Sequence, residues 1–279
     1  MSNFVKINNR INCFNKSLSI DGDKSLSIRW ALLSSQSLKK CRSSNLLLSE
    51  DVYSSLNCLK KLGVKIKISK KFCEINGLGL NGFKYKDNTI LDAGNSGTLG
   101  RLILGLLVHS KKKVKLKGDK SLSKRDFLRV IKPLEKFGAK FDSNFGKLPI
   151  QIQGTNYSKP IRYNEIKGSA QCKSAVMLAA LNTQGETIIK AKKSRDHSEL
   201  LFKYLKLPIK VIKKKEYDII KVKGKHKIPA LNYKIPSDMS SAAFFIVLTA
   251  LVKNSRLKIR NVNINPSRMG VFYILKLMG

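Results

Sequence analysis

Apolar and polar residues along this chain follow helix and strand periods, and these periods recur in a fixed order. A mostly apolar segment comes first, and an amphipathic segment that stops at Gly63 follows it. Apolar spacings of three and four predict helices, whereas the alternation of Val64, Ile66 and Ile68 predicts a strand. The pattern predicts helices at 25–37 and 51–62 and strands at 45–48, 64–68 and 73–75.

The same order of helix, strand, helix and two strands returns twice more along the chain. In the second repeat, the pattern predicts helices at 97–109 and 123–137 and strands at 114–116 and near Lys140 and Ile150. The third predicts helices at 169–181 and 197–205 and strands at 186–190, 209–212 and 219–222. The apolar helices open at Ser25, Gly97, Ser169 and Ser241, 72 residues apart each time. A constant period of this length indicates one repeated supersecondary unit.

In the fourth repeat, the pattern predicts a helix at 240–252, a strand at 256–260 and a helix at 266–278, and the sequence then stops. The two final strands are missing, so the apolar faces of these helices have nothing to cover them. A natural capping unit normally presents a polar outer face, and the last helix instead carries Val271, Phe272, Ile274, Leu275 and Leu277. We therefore expect the chain to be part of a longer protein.

Composition excludes a disordered chain and leaves the charge to be explained. A chain of 279 residues with 42% hydrophobic content can bury a core of one large or two medium domains. The formal net charge of +37 alone suggests a polyanionic partner such as nucleic acid. However, only 11 of the 55 basic residues are arginines, and the lysines are scattered over predicted strands and helix faces. We therefore expect a solvated lysine-rich surface and no nucleic-acid partner.

Several sequence features bear on location and on metal binding. The five cysteines are dispersed and lack a Cys-x-x-Cys spacing, which favours a reducing compartment and no zinc site. The three histidines lie far apart in the sequence, so they form no metal motif. The N-terminus lacks an apolar signal region, and the most apolar run, 242–252, is too short to span a bilayer. We expect a cytoplasmic protein with no metal, no cofactor and no membrane partner.

The helix openings share residues that suit anion binding. Segments 22–29 (GDKSLSIR) and 118–125 (GDKSLSKR) are nearly the same, segment 91–98 (LDAGNSGT) precedes Arg101, and segment 168–174 (GSAQCKS) opens the third unit. A helix N-terminus offers unpaired N–H groups and partial positive charge, and glycine lets an oxyanion approach the backbone. Arginine one turn inside can grip a phosphate or carboxylate with its fork. Each opening is therefore a candidate anion site.

A simpler interpretation applies to each opening taken alone. A serine or aspartate before an apolar helix is usually an N-cap that contributes about 1 kcal/mol, and Gly-Asn-Ser-Gly is usually a turn. Segment 194–197 (SRDH) is equally compatible with a capping serine and a surface arginine. The repetition favours an anion-binding site over simple helix caps, because a periodic fold can direct several helix ends to one cleft. The sequence thus favours a ligand with more than one anionic group.

These segments resemble, in order, the signatures of the enolpyruvyl transferases, and among them of the branch that acts on shikimate 3-phosphate. The resemblance also includes 123–125 (SKR), Asp238 with 240–242 (SSA), and 265–268 (NPSR), and it runs from about residue 18 to the last residue. It implies an α/β (α+β) fold, an inside-out α/β barrel of repeated βαβαββ-type units. One complete three-unit domain is expected at 19–236, with 1–18 and 237–279 as part of a second domain. The resemblance also implies a monomer.

The resemblance further implies a reaction and a set of roles. The reaction is transfer of the enolpyruvyl group of phosphoenolpyruvate to the 5-hydroxyl of shikimate 3-phosphate, in the route to chorismate and aromatic amino acids. Lys24 is the expected catalytic residue. The expected shikimate 3-phosphate ligands are Lys24, Ser25, Arg29, Ser169, Gln171, Ser194 and Arg195. The expected phosphoenolpyruvate residues are Lys24, Asn95, Gly97, Arg125 and Gln171. The acidic proton-transfer residues are expected beyond Gly279, so we expect this chain alone to be inactive.

Departures from the family pattern keep other functions open. Asp126 stands where the family usually has proline and places a carboxylate beside Arg125, and Ile28 and Trp30 flank Arg29 where a polar residue and alanine are usual. These departures allow a non-catalytic remnant. The related transferase that acts on UDP-N-acetylglucosamine typically has Lys-Asn in place of Lys24-Ser25 and a cysteine-bearing loop near Arg125. A nucleic-acid-binding protein is the alternative from another class, and it requires a continuous basic face with exposed aromatic residues.

Overall fold

The computed structural model describes residues 11–69 and 72–279. The chain divides into two compact units: a larger one, Lys24–Ile235, and a smaller one that combines the described residues up to Asp23 with Pro236–Gly279. The larger unit begins five residues later and ends one residue earlier than the domain expected at 19–236.

The larger unit contains seven α-helices among its described residues. They are α1 (Lys24–Ser34), α2 (Glu50–Lys61), α3 (Gly97–Leu107), α4 (Lys120–Ser123), α5 (Leu128–Glu135), α6 (Ala170–Leu181) and α7 (His197–Tyr204). The strands of the chain begin with β1 (Asn15–Leu18), which belongs to the smaller unit, and continue in the larger unit with β2 (Lys40–Ser44), β3 (Lys65–Ile68), β4 (Phe72–Asn76), β5 (Thr89–Asp92), β6 (Val114–Lys117), β7 (Lys140–Asn144), β8 (Lys147–Gln153), β9 (Arg162–Glu165), β10 (Glu186–Lys192), β11 (Ile209–Lys213), β12 (Tyr217–Lys223) and β13 (Tyr233–Lys234).

These strands form three sheets with the same arrangement. The strand orders are β13-β2-β4-β3, β5-β6-β8-β7 and β9-β10-β12-β11. In each sheet the first two strands are parallel and the other pairs are antiparallel. The second and third sheets take their first strand from the segment before the apolar helix, whereas the first sheet takes it from β13, at the end of the unit. The last strand thereby completes the first sheet.

The three apolar helices α1, α3 and α6 are buried along almost their whole length. A helix that is apolar on all sides must be enclosed by other elements, and the sheets and α2, α5 and α7 supply that cover. Helices α3 and α6 approach so closely that a Cβ at Gly105 would lie 2.2 Å from the carbonyl oxygen of Ala175. Glycine is therefore required at this crossing, and the crossing sets the positions of the two helix ends.

The strand predicted at 45–48 is wrong: the strand is β2, Lys40–Ser44. Cys41 and Ser43 are the buried positions of β2. Asn45 follows with a φ of 57°, a left-handed conformation that ends an extended segment. Leu46 and Leu47 lie in the following loop and pack against the core. Their apolar character correctly predicted that this segment contacts the core, but it did not predict that the segment is a loop.

The helix predicted at 123–137 is also wrong, because it is two helices, α4 and α5, separated at residues 124–127. The backbone N–H of Phe127 donates to the carbonyl oxygen of Gly146 at 2.9 Å instead of continuing a helix. Asp126 Oδ1 accepts the N–H of Leu128 at 2.7 Å, which starts the second helix. The pattern-based order also lacks β5 and β9, the strands that precede α3 and α6. The break places Arg125 in an irregular segment.

The smaller unit contains a parallel pair of β1 with β14 (Arg256–Ile259) and two α-helices, α8 (Met239–Leu251) and α9 (Gly270–Leu277). A short 3₁₀ turn, Pro266–Arg268, precedes α9. Asp238 caps α8 by accepting the N–H of Ser240 at 2.8 Å, and Arg268 donates to the same carboxylate at 3.1 Å. In the described part of the chain, no helix has the length and apolar content needed to cross a membrane.

Candidate anion-binding site

A cavity of about 340 Å³ lies in the larger unit where the N-terminal ends of α1, α3, α6 and α7 converge. Its lining combines residues from all three repeated units. The residues that line it are Lys24, Ser25, Arg29, Asp51, Asn95, Gly97, Thr98, Arg125, Ala170, Gln171, Arg195 and His197. Helix N-termini carry partial positive charge and unpaired N–H groups, so this convergence favours an anionic occupant.

The charged lining of the cavity consists of four cations and one carboxylate. Lys24, Arg29, Arg125 and Arg195 are the cations. The carboxylate is Asp51, in the first turn of α2, and it pairs with Lys24 Nζ at 2.9 Å. The lining therefore retains an excess of positive charge. An excess spread over several side chains matches a ligand with more than one anionic group.

Arg29 lies one turn inside α1 and is only 4% exposed. Its Nε donates to Ser198 Oγ at 2.9 Å and its Nη2 donates to Ser174 Oγ at 3.2 Å. Its Nη1 donates to the carbonyl oxygen of Ser25 at 3.1 Å. The guanidinium is thus held by α6 and α7 as well as by its own helix.

Gln171 lies in the first turn of α6, and both ends of its side-chain amide have partners. Arg101 Nη1 donates to Gln171 Oε1 at 2.8 Å, and Gln171 Nε2 donates to Thr98 Oγ1 at 3.0 Å. The Arg101 guanidinium also lies over the Phe127 ring, 4.8 Å from its centroid. Burial lowers the pKa of Arg101. These contacts fix the Gln171 amide at the wall of the cavity.

Arg125 is positioned by the loop that precedes α3. Its Nη2 donates to Asn95 Oδ1 at 2.7 Å, and Asn95 Nδ2 donates to Asp119 Oδ2 at 2.7 Å. Asp119 also caps α4, because its Oδ1 accepts the N–H of Leu122 at 2.7 Å. Asn95 therefore shapes this loop by linking Arg125 to a helix cap.

Gly97 is the first residue of α3 and leaves room for two guanidinium groups. A Cβ at this position would lie 2.9 Å from Arg101 Nη1 and 3.0 Å from Arg125 Nη1. Contacts this short are closer than a carbon and a nitrogen normally approach. Glycine therefore allows Arg101 and Arg125 to lie side by side against the start of α3.

The departures from the family pattern are accommodated locally. Asp126 Oδ2 lies 3.7 Å from Arg129 Nε, so the carboxylate predicted beside Arg125 pairs with another arginine. Ile28 and Trp30 are both fully buried. Trp30 Nε1 donates to the carbonyl oxygen of Leu231 at 2.9 Å, which satisfies its polar atom inside the core.

Eight of the ten residues predicted to bind substrate line the cavity, and Ser169 and Ser194 do not. Ser169 caps α6 by accepting the N–H of Cys172 at 3.2 Å, next to Ala170 and Gln171, which line it. Ser194 precedes Arg195, and its Oγ is buried without a hydrogen-bond partner in the described part of the chain. The structure thus brings the predicted residues together, and their roles toward a ligand remain proposals.

Five residues that shape the site had no role in the sequence-based prediction: Asp51, Thr98, Ser174, His197 and Ser198. Arg101 was predicted to grip an anion, whereas in the structure it holds Gln171. Thr98, Arg101, Ser174 and His197 fall within or next to the quoted segments. Ser198 directly follows segment 194–197, and Asp51 lies on a helix whose sequence pattern indicates only packing. Their proximity to the cavity depends on how α2 and α7 pack, and one sequence carries no signal of that.

Comparison with known proteins shows the family of this chain. A family model described as EPSP synthase (3-phosphoshikimate 1-carboxyvinyltransferase) matches residues 9–279. The chain belongs to the EPSP synthase family. A 3-phosphoshikimate 1-carboxyvinyltransferase from Ruthia magnifica is 44% identical over 263 residues, which cover 94% of this chain and 59% of the relative. One from Vesicomyosocius okutanii is 43% identical over 280 residues, which cover 100% of this chain and 63% of the relative.

Solved structures give the same result for the fold. An EPSP synthase from Acinetobacter baumannii superposes with a TM-score of 0.86 at 35% identity, covering 96% of this chain and 60% of that one. The mixed α/β fold expected from the resemblance is confirmed by this match. The chain spans about three fifths of the length of the EPSP synthases that it matches.

Within residues 11–69 and 72–279, no group of three or more histidine, cysteine, aspartate or glutamate side chains is arranged to hold a metal ion. The cavity lining offers cationic, amide and hydroxyl groups together with the Asp51 carboxylate and the His197 ring. The cationic, amide and hydroxyl groups can hold phosphate and carboxylate oxygens and stabilise negative charge.

Proposed function

We propose that this chain serves the reaction named for its relatives, 3-phosphoshikimate 1-carboxyvinyl transfer. In this reaction the enolpyruvyl group of phosphoenolpyruvate moves to the 5-hydroxyl of shikimate 3-phosphate and phosphate is released. Both substrates carry phosphate and carboxylate groups. The observation that carries the proposal is the cavity of about 340 Å³, where four cations and several helix N-termini from three repeated units converge.

Shikimate 3-phosphate is proposed to occupy the part of the cavity that α1, α6 and the segment before α7 line. Arg29 and Arg195 provide the cations there, and Ser25 and Gln171 provide hydroxyl and amide groups. Ser169 and Ser194 flank this region at the starts of α6 and α7. The buried hydroxyl of Ser194 supports the assignment, because buried polar atoms normally have hydrogen-bond partners.

Phosphoenolpyruvate is proposed to lie against the start of α3. Gly97 offers backbone at the helix N-terminus, and Arg125, held by Asn95, offers a guanidinium. Lys24 is proposed to contact both substrates, and Gln171 to lie between them. In the addition step the 5-hydroxyl oxygen bonds to C2 of phosphoenolpyruvate and loses its proton, while the methylene carbon gains one, which gives a tetrahedral ketal. The ketal then loses phosphate and a methyl proton, which restores the double bond. Lys24 and Arg125 stabilise the charge on the carboxylate and phosphate in these steps.

The proposal also includes the predictions about domains, location and partners. We propose that 19–236 form one domain and that 1–18 and 237–279 belong to a second. A cytoplasmic location, a monomeric state and the lack of a nucleic-acid partner are proposed on the same basis. The dispersed cysteines support the cytoplasmic location, and the scattered lysines support the lack of a nucleic-acid partner. The monomeric state follows from the resemblance to the family.

Calorimetric titration of the 279-residue chain with shikimate 3-phosphate tests the proposal. Arg195→Ala removes an exposed cation of the lining, and Arg162→Ala removes an exposed arginine of β9 as a matched control. We expect the first variant to weaken binding about tenfold or more, because a hydrogen bond to a charged group is lost. The control is expected to bind as the unaltered chain does.

Two further ligands separate the alternative functions in the same experiment. Binding of UDP-N-acetylglucosamine but not of shikimate 3-phosphate would assign the chain to the related transferase. Tight, salt-dependent binding of a DNA duplex that shikimate 3-phosphate fails to displace would instead support a nucleic-acid-binding protein. Either result contradicts the proposed function.

A further inference from the structure

Three helices meet at a buried polar cluster beneath the cavity. The cluster consists of Arg29 from α1, Ser174 from α6 and Ser198 from α7, each less than 5% exposed. Ser174 and Ser198 are not among the residues that line the cavity, whereas Arg29 is. The two hydroxyl groups therefore reach the cavity only through the guanidinium that they contact.

The hydrogen bonds of this cluster have a single consistent direction. Ser174 Oγ donates to the carbonyl oxygen of Ala170 at 2.6 Å, which uses its only proton. The contact of 2.7 Å between Ser174 Oγ and Ser198 Oγ then requires Ser198 to be the donor. Both hydroxyl oxygens thus keep lone pairs for Arg29, from Nη2 and Nε respectively.

A buried ion pair holds the two serines at a fixed separation. Lys173 Nζ lies 2.6 Å from Glu199 Oε1, and the two side chains are only 1% and 4% exposed. Lys173 immediately precedes Ser174, and Glu199 immediately follows Ser198. The pair therefore joins α6 to α7 at the level of the two hydroxyl groups. Removing one member would leave a buried charge without compensation and would destabilise this junction.

The cluster orients one particular edge of Arg29. A guanidinium has one edge formed by Nε and a terminal nitrogen and another formed by both terminal nitrogens. The serines engage the first edge, through Nε and Nη2, and Nη1 uses one of its two N–H groups for the carbonyl oxygen of Ser25 at 3.1 Å. The plane of the guanidinium is thereby fixed before any ligand arrives, and a preorganised cation binds an oxyanion without first losing side-chain freedom.

We propose that Ser174 and Ser198 are positioning residues for ligand binding: they clamp the Nε edge of Arg29 so that its terminal edge meets an anionic group in the cavity. The identity of that ligand as shikimate 3-phosphate rests on the proposed function. The clamp itself rests on the geometry of Arg29, Ser174 and Ser198.

A double-mutant cycle measured by calorimetry tests the clamp. We expect Ser198→Ala to raise the Kd for shikimate 3-phosphate about tenfold, because a hydrogen bond to a charged group is lost. Ser198→Thr keeps the hydroxyl and is expected to bind within about threefold of the unaltered chain. In an Arg29→Lys background, Ser198→Ala is expected to have almost no further effect. Ser35→Ala is the control, since Ser35 is buried and its hydroxyl donates to the carbonyl oxygen of Leu32 at 2.7 Å.

A ligand-free measurement separates failure of the clamp from failure of the proposed function. In a chain with ¹⁵N-labelled arginine, the Arg29 Nε–H signal, assigned by its loss in Arg29→Lys, is expected to exchange slowly with solvent. Ser198→Ala is expected to accelerate this exchange about tenfold or more. Two results would overturn the clamp. One is an exchange rate that Ser198→Ala leaves unchanged. The other is a rise in Kd on Ser198→Ala that is equal in the Arg29 and Arg29→Lys backgrounds. Slow exchange without binding of shikimate 3-phosphate would overturn the proposed ligand and leave the clamp supported.

Discussion

Arg101 Nη1 lies 2.8 Å from Gln171 Oε1 and connects α3 to α6 at the wall of the cavity. The two residues are 70 positions apart and lie near the N-terminal ends of the apolar helices of successive units. Gln171 is proposed to lie between the two substrates, whereas Arg101 also donates to the backbone of Gly97 and Asp126. One buried guanidinium thereby ties the proposed shikimate 3-phosphate region to the proposed phosphoenolpyruvate region.

Arg101→Lys tests this connection. An ammonium group cannot span Gln171, Gly97 and Asp126 as the planar fork does. We expect the affinity for shikimate 3-phosphate to fall about tenfold while the positive charge is kept. Calorimetric titration measures the change, and Arg129→Lys, at a half-exposed arginine of α5, is the control. Equal affinities for Arg101→Lys and the unaltered chain would show that Gln171 is held without Arg101.

Gly97→Ala is expected to reduce phosphoenolpyruvate binding without unfolding the chain. The added Cβ would meet the ends of the Arg101 and Arg125 side chains, which can shift more easily than backbone. We expect phosphoenolpyruvate affinity to fall about 10- to 100-fold, because small displacements of binding groups are costly. The free energy of unfolding is expected to change by less than about 1 kcal/mol.

Gly270→Ala is the matched control for that experiment. Gly270 also begins a helix, and a Cβ there would have no atom within 4 Å. We expect this variant to bind phosphoenolpyruvate as the unaltered chain does, as measured by the same titration. A similar loss in both variants would mean that the effect does not arise from Arg101 and Arg125.

Trp30→Phe is expected to destabilise the larger unit. Trp30 is fully buried, and its Nε1 donates to the carbonyl oxygen of Leu231 at 2.9 Å. The substitution leaves that carbonyl unpaired in the core, at a cost of about 1–3 kcal/mol in the free energy of unfolding. Urea unfolding followed by circular dichroism measures the loss. Tyr53→Phe, at an exposed aromatic residue of α2, is expected to cost less than about 0.5 kcal/mol. An equal loss in both variants would contradict the account.

Thiol reactivity should distinguish Cys13 from the other cysteines. Cys13 is exposed, whereas Cys41, Cys58, Cys73 and Cys172 are buried. Burial raises the pKa of Cys58 and of Cys73 to about 12, so below that pH these groups stay protonated and unreactive. At about pH 8, Ellman's reagent is expected to modify one thiol rapidly in the folded chain and all five after unfolding. Cys13→Ser should abolish the rapid phase, and rapid reaction of several thiols would contradict the packing described.

The sequence predicted the repeated order of elements because apolar spacing and the helix openings are local signals. The sequence-based prediction was wrong where the backbone conformation or one backbone hydrogen bond ends a strand or a helix. The left-handed Asn45 ends β2 before Leu46 and Leu47, although their side chains indicate a strand. The bond from Phe127 to Gly146 interrupts a segment that has helical periodicity.

The candidate site was predicted in part for similar reasons. Residues at the openings of α1, α3 and α6 were identified because glycine, hydroxyl and basic residues repeat there. Asp51 and Ser198 were missed because their places depend on the packing of α2 and α7. The partner of Asp126 was likewise not predictable, since its pairing with Arg129 depends on the helix break between α4 and α5.

Helix ends from three repeated units are proposed to form one site for a ligand with several anionic groups. A crystal structure of the chain with shikimate 3-phosphate tests this most directly. We predict that the ligand occupies the cavity, with its phosphate or carboxylate oxygens within about 3 Å of Arg29, Gln171 and Arg195. An empty cavity at saturating ligand, or ligand bound on another surface, would contradict the account.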